Sequence, residues 1–301
     1  MKKGLITGMI LLLMISVFSA TFYNPLGPTL LPAAGLYIDG VPGLKTDYWR
    51  TIDQAQTLML KQQADFIILP VALGIEMVNK GAKYKLAGVS LWKTFYLISS
   101  EKITNVDELK GKRIVTLHGP GQTADVILKI LKKSKNMDFE IVYVTSSPEI
   151  IQMLAAGKEK IAVLPEPFVS LAEIKTKGKV KAQLDFQKVY ADIFNLKEEK
   201  LPIAGIFVSE KIINNDMKMV KKVLNEYECS ANVFYKNSFD EAIKFVFDTM
   251  KTMPEPVLRK AATRSEIYYS KNIKEITDLY MKNLFEYGAI SKIPEDLYLI
   301  Y

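Results

Sequence analysis

Glu166 stands between two prolines in the run Leu164-Pro165-Glu166-Pro167-Phe168, directly after an apolar segment that reads as a buried strand. A carboxylate at such a strand end can hold a ligand amine or amide, or it can accept from the free N–H groups of a helix beginning at Phe168. Two loops, Leu26 to Thr29 and Gly119 to Thr123, open helical segments in the same way. Unpaired N–H groups at helix starts favour an anion or a carbonyl oxygen. Gly27, Pro28, Thr29, Gly119, Gly121, Gln122 and Thr123 are therefore candidate ligand contacts, the glycines serving otherwise to permit tight turns. Aromatic residues supply a third kind of contact, since flat rings are held well between aromatic side chains. Phe22, Tyr23, Trp92, Phe95, Tyr96 and Phe168 are the candidates, with Asn24 beside Tyr23 at the end of a first strand. Trp92 and Tyr96 are four apart, which puts both on one face if a single strand runs through them. No Arg stands in either loop, so a bidentate clamp on a strongly anionic ligand is not expected. A neutral or zwitterionic ring of the pyrimidine or flavin type fits those groups better than nitrate or sulfonate.

Catalysis needs a constellation, and none is written here. His118 is the lone histidine and Cys229 the lone cysteine, and no G-x-S-x-G, H-E-x-x-H or Walker loop occurs. Cys229 lies in the helical pattern VLNEYECSANVFY, cannot close an internal disulfide, and reads as a small packing residue. No turnover is expected.

The elements that position these residues come as a repeat. Gln56 to Ala72 (QTLMLKQQADFIILPVA) and Gln152 to Phe168 (QMLAAGKEKIAVLPEPF) each read as a helix end, a turn, a buried strand, then Leu-Pro and a new helix. A matching strand, Gly-Pro loop and helix precede each copy, TFYNPLGPTLLPAAGL and KRIVTLHGPGQTADVILKIL. Two similar α/β lobes follow. Ligands bind beyond the carboxyl ends of strands in open α/β sheets, so Leu69-Pro70 and Leu164-Pro165 should rim a shared cleft. The long apolar run KLAGVSLWKTFYLISS suits a strand crossing between lobes, and LPIAGIFVSEKII a crossing back. That layout assigns 21–97 and 209–301 to the first lobe and 98–208 to the second, with the helices after Asp216 returning to the first. Two crossings make a hinge.

The chain has 301 residues, 49% hydrophobic and 24% charged, enough for two cores. Residues 1–20 have the order of a secretory signal peptide: Lys2 and Lys3, an apolar run from Ile10 to Phe18, then small Ser19 and Ala20. Cleavage is expected after Ser19 or Ala20, an uncleaved anchor being the alternative. No Cys follows the apolar run, so lipid attachment there is not expected. The formal charge of +7 drops by two without Lys2 and Lys3, and the remaining lysines are interspersed with Glu and Asp. Arg50, Arg113, Arg259 and Arg264 form no basic stripe with aromatics, which argues against nucleic acid.

The succession NPLGPTLLPAAGL, ADFIILPVALGIEMVNKG, KLAGVSLWKTFYLISS, VDELKGKRIVTLHGPGQTADVI, MLAAGKEKIAVLPEPFVSLA and PIAGIFVSEKII resembles the periplasmic solute-binding proteins of ABC importers. The similar branch is the one with sulfonate, nitrate and thiamine-precursor binders, and the likeness covers nearly the whole chain after the signal. It implies a type II periplasmic-binding fold, α/β in class, with a ligand clamped between two lobes and C-terminal helices. It implies no cofactor, a small-molecule solute and the transmembrane subunits of an ABC permease as partners, and a monomer. Pyrimidine-precursor synthases and a menaquinone-pathway dehydratase share the fold, which makes an enzyme the rival reading; the cysteine-rich motif of the synthases is absent here.

Overall fold

Strands covered on both faces read as unbroken apolar runs, and Phe66-Ile67-Ile68-Leu69 and Ile161-Ala162-Val163-Leu164 are two such runs, every residue buried. Each lies within a separate sheet of the computed structural model, which describes residues 20–117 and 119–301. The expected signal through Ser19, and His118, lie outside the described residues.

The chain opens with β1 (Ala20–Pro25), α1 (Leu30–Asp39), β2 (Leu44–Trp49), α2 (Ile52–Leu60), β3 (Phe66–Pro70), α3 (Val71–Asn79) and β4 (Tyr84–Lys93). It continues through β5 (Phe95–Ser99), β6 (Arg113–Leu117), α4 (Thr123–Ser134), β7 (Glu140–Val144), α5 (Ser147–Ala155), β8 (Ile161–Pro165), α6 (Phe168–Lys175), β9 (Lys181–Asp185) and α7 (Phe186–Phe194). The last third holds β10 (Ala204–Ser209), α8 (Glu210–Asn215), α9 (Met217–Cys229), α10 (Tyr235–Asn237), α11 (Phe239–Met250), α12 (Glu255–Thr263), β11 (Glu266–Ser270) and α13 (Lys274–Glu286). A π-helical turn, Ser230–Phe234, joins α9 to α10.

The first sheet runs β11-β4-β10-β3-β1-β2 and the second β7-β6-β8-β5-β9. Five strands correspond in order, with β11 an extra edge strand of the first sheet: parallel strands on one side, then an antiparallel strand delivered by the other half of the chain, β10 in the first sheet and β5 in the second. The repeat in the sequence is thus a repeat of topology. The expected lobe limits at residues 97 and 208 fall inside strands, because β5 pairs only in the second sheet and β10 only in the first. The first crossing is the single residue Thr94 and the second is the stretch between Phe194 and Ala204. They run side by side: the N–H groups of Leu201 and Ile203 donate to the carbonyls of Trp92 and Leu91, each at 3.0 Å.

One expectation about the C-terminus is corrected. Helices α9 to α11 return to the first lobe, where they pack with α1. Helix α13 instead docks on the second lobe: Asn283 Nδ2 donates to the Tyr190 hydroxyl at 2.7 Å, and Tyr280 and Tyr287 meet Tyr190 and Phe194 edge to face. The tail then comes back to β4, with Leu86 N–H donating to Leu297 O at 2.7 Å and Leu299 N–H to Leu86 O at 3.0 Å. Aromatic surface on α7 decides this placement, and periodicity within α13 carries no record of it.

Close packing of α3 on β10 depends on Gly74, where a Cβ would overlap the Phe207 ring. Phe207 is fully buried and has nowhere to move. Gly74→Ala is expected to lower stability by about 1–3 kcal/mol through overpacking. A urea midpoint equal to that of the unaltered protein would show that the ring can give way.

Candidate functional site

The carboxyl ends of the parallel strands of both sheets meet across a cleft of about 1030 Å³, measured out to its open mouth. From the first lobe come the β1–α1 loop Pro25 to Thr29, Trp49 and Arg50 after β2, and Leu69-Pro70 at the end of β3. From the second come Leu117, Gln122 to Ala124, Thr145 and Ser147, with Pro165 and Phe168. Thr94 and Phe95 lie between them at the crossing. Trp49 is held rigidly, its indole N–H donating to Ile68 O at 2.9 Å.

Helix starts are of two kinds. Thr51 caps α2 by accepting from Gln54 N–H at 3.2 Å, and Asp185 caps α7 by accepting from Gln187 and Lys188 N–H at 2.9 and 3.2 Å. α1, α4 and α5 begin at Thr29, Gln122 and Ser146 with no side-chain cap. In α1 the N–H groups of Leu30 and Leu31 are taken by Gly27 O and Pro28 O at 3.1 and 3.4 Å, whereas first-turn donors of α4 and α5 border the cleft, where a ligand can take the place of a cap.

Charge in the cleft is simple. Arg50 is the only charged residue among the described residues that line it, is exposed, and has no carboxylate within ion-pair distance among them. Its backbone N–H is fixed by Gln54 Oε1 at 2.8 Å, so the guanidinium hangs from an anchored turn. The rest of the wall is uncharged, with Leu26, Trp49, Leu91, Phe95, Phe168 and Ile203 as its main apolar and aromatic surface. The sequence reading missed Arg50 because it missed β2: LKTDYW alternates polar and apolar at a sheet edge and lacks the long apolar run of its neighbours. The available signal was Thr51, whose position at a helix start demands a strand end just before it.

Of the candidates named from sequence, Gly27, Pro28, Thr29, Pro70, Phe95, Gln122, Thr123 and Phe168 stand in the cleft wall. Gly119 and Gly121 lie beside it, with Gln122, in a neighbouring hollow formed with α2 and α3. Gly121 has φ +85° and donates to Asp125 Oδ2 at 2.7 Å, which is the work of a turn. Tyr23 packs against the first lobe's core, and Asn24 is fully buried below the loop; neither lines the cleft.

Trp92, Tyr96 and Glu166, expected to contact ligand, do not line the cleft. The shared face expected of Trp92 and Tyr96 requires one continuous strand, and Thr94 breaks that strand between two sheets. Trp92 is buried behind the hinge, stacked on Tyr268 at 5.3 Å, with its indole N–H donating to Tyr268 O at 2.9 Å. The Tyr96 hydroxyl donates to Arg264 O at 2.6 Å. Glu166 is 0% exposed and serves α6, accepting from Ser170 N–H and Ser170 Oγ at 3.0 Å each. Arg264 Nη1 lies 3.4 Å from the Glu166 carboxylate and 3.0 Å from that of Glu173, and Lys260 is 2.5 Å from Glu173. This cluster fastens α12 to α6 on the far side of the hinge. Burial pushes the Glu166 carboxyl above the usual range, against the pull of Ser170 and Arg264. Burial acts the same way on Glu173, but Lys260, the Ala182 N–H and Arg264 outweigh it and hold that carboxyl low.

Solved structures with this arrangement are numerous in kind. An ABC transporter protein from Parabacteroides distasonis superposes with a TM-score of 0.73 at 20% identity, covering 94% of this chain and 99% of that one. The periplasmic aliphatic sulphonate binding protein from Escherichia coli gives 0.74 at 14% identity, over 94% and 93%. The ligand-binding component of an ABC-type import system from Staphylococcus aureus, with zinc bound, gives 0.74 at 13% identity, over 93% and 96%. The fold is that of the periplasmic binding proteins. Within that fold the strand order of both sheets is the type II one, with β5 and β10 as the exchanged strands. No protein-family model and no curated protein sequence matches the chain. Among the described residues of this periplasmic-binding-protein fold, no group of three or more His, Cys, Asp or Glu is placed to hold a metal ion, and no helix is long and apolar enough to cross a membrane.

Proposed function

We propose that the protein is the solute-binding component of an ABC importer, closing its two lobes on a small organic anion in an extracytoplasmic compartment. The observation that carries this reading is Arg50, a cation at the rim of the cleft with no ion-pair partner and no second charge in the lining among the described residues. Uncapped starts of α4 and α5 on the second lobe add donors that suit the same charge. Arg50 removes the ground for favouring a neutral ring, since a guanidinium at the rim complements a carboxylate or sulfonate. The sulphonate-binding relative in fold supports the same class. The apolar wall suits a hydrocarbon or ring body, and closure follows if the ligand touches both lobes in the closed form and one in the open form.

Mass spectrometry of small molecules released from the purified protein tests the reading. The expected species is an organic acid, bound without chemical change. Recovery of an uncharged ligand, or of a converted product on incubation, would overturn it in favour of a neutral cargo or of an enzyme. Export is tested at the N-terminus: Ala20 is buried, opens β1 and donates its N–H to Gly43 O at 2.9 Å, so cleavage after Ser19 leaves the strand whole. Sequencing of secreted protein should begin at Ala20; retention of Met1 on protein recovered from the cytosol would sink the proposal.

A further inference from the structure

The crossing between the lobes carries a polar group that the fold leaves without a partner. Thr94 is fully buried and lines the cleft, yet its hydroxyl makes no hydrogen bond among the described residues. Thr29 repeats the situation on the first lobe, 2% exposed and in the cleft wall, with an unpartnered hydroxyl although it stands where α1 begins. Burying a hydroxyl without a partner is costly, and such groups are few in folded proteins. The Thr94 backbone is by contrast fully engaged. Glu166 N–H donates to its carbonyl at 2.9 Å, and its own N–H reaches Gln187 Oε1 at 3.3 Å. Gln187 also accepts from Phe95 N–H at 2.9 Å and donates to Phe95 O at 3.0 Å. A clamped backbone therefore holds an unsatisfied hydroxyl just beneath the surface of the cleft wall.

We infer that Thr94, together with Thr29, forms a second polar subsite that reads a hydroxyl, carbonyl or amide on the body of the ligand. The inference rests on the reading of Arg50 as the anion contact. Arg50 is exposed at the rim and the two threonines are buried, so the ligand spans the depth of the cleft. Its class is an organic anion that bears a neutral hydrogen-bonding group away from the acid. A threonine hydroxyl both donates and accepts, which suits any of those three groups. Because Thr94 is itself the crossing, a hydrogen bond there joins the ligand to the segment about which the lobes turn.

Calorimetric titration of the full chain with ω-hydroxypentanesulfonate and with pentanesulfonate tests this directly. The two probes share acid and chain length and differ by one hydroxyl. The unaltered protein is expected to prefer the hydroxylated probe by about tenfold. Thr94→Val, which keeps the shape and removes the hydroxyl, should bring the preference close to unity, and Thr94→Ser should keep most of it. The ligand-free melting temperature of Thr94→Val should equal or exceed that of the unaltered protein, since no hydrogen bond is lost. Binding of both probes without preference, or a preference that survives in Thr94→Val, overturns the inference alone. Failure of both probes to bind the unaltered protein overturns the anion reading and this inference with it.

Discussion

Glu166→Ala is expected to destabilise the ligand-free protein by about 2–4 kcal/mol, the cost of leaving Ser170 and Arg264 without their buried acceptor. Both partners depend on that carboxylate: Ser170 through its N–H and hydroxyl, Arg264 through an ion pair only partly reached by water. Glu166→Gln separates hydrogen bonding from charge. Its amide oxygen still accepts from Ser170, and no ionised group is held in the interior, so stability near neutral pH should stay within about 1 kcal/mol of the unaltered protein.

The pH dependence has a definite sign. The native Glu166 carboxyl titrates above its ordinary value of 4.5, so the folded state holds its proton more tightly than the unfolded chain does. The stability this group contributes is complete below 4.5 and is lost as the pH rises through the raised native value. Glu173 works the other way: its carboxyl is held low, and its contribution is present above 4.5 and lost as the pH falls through the native value. That second effect is present in both proteins and, because Arg264 pairs with both carboxylates, cancels in part between them. The stability difference should therefore shift towards Glu166→Gln as pH rises from about 4 to about 8. Urea midpoints across that range measure it. A flat difference would remove the raised carboxyl from the account, and an unaffected Glu166→Ala fold with lost ligand binding would return Glu166 to the cleft.

Arg50→Gln should weaken binding of hexanesulfonate about 10- to 100-fold, the worth of one charge-assisted hydrogen bond of about 1.5–3 kcal/mol. The guanidinium is exposed, so added salt should narrow the gap between the two proteins. Ligand-free stability should change by no more than about 0.5 kcal/mol, because the Arg50 side chain has no ion-pair partner among the described residues to lose. Titration calorimetry beside thermal melts distinguishes the effects. Equal affinities would place the acid of the ligand elsewhere, at the uncapped helix starts alone.

Much of the architecture is legible in the amino-acid order because it is local. Apolar runs of strand length, helical periodicity and the Leu-Pro punctuation at Leu69-Pro70 and Leu164-Pro165 set two βα repeats, and the strand order of both sheets follows that plan. The wall of the cleft was accessible by the same route, since strand ends in such sheets must rim a shared crevice. Gly27, Pro28, Thr29, Pro70, Gln122, Thr123 and Phe168 stand there on that ground.

Facing is what only the tertiary structure decided. An even spacing puts two side chains on one face only while the strand stays in one sheet, and Thr94 sends Trp92 and Tyr96 to different sheets. Glu166 sits at the right strand end but turns inward, because Ser170 one turn into α6 and Arg264, 98 residues away in sequence, offer its carboxylate partners. Arg50 reaches the cleft on an edge strand whose pairing with β1 supplies what its own mixed sequence lacks. For Glu166 and Arg50 a deciding partner, Arg264 or β1, is distant in the chain, and contacts of that kind leave no period in the sequence.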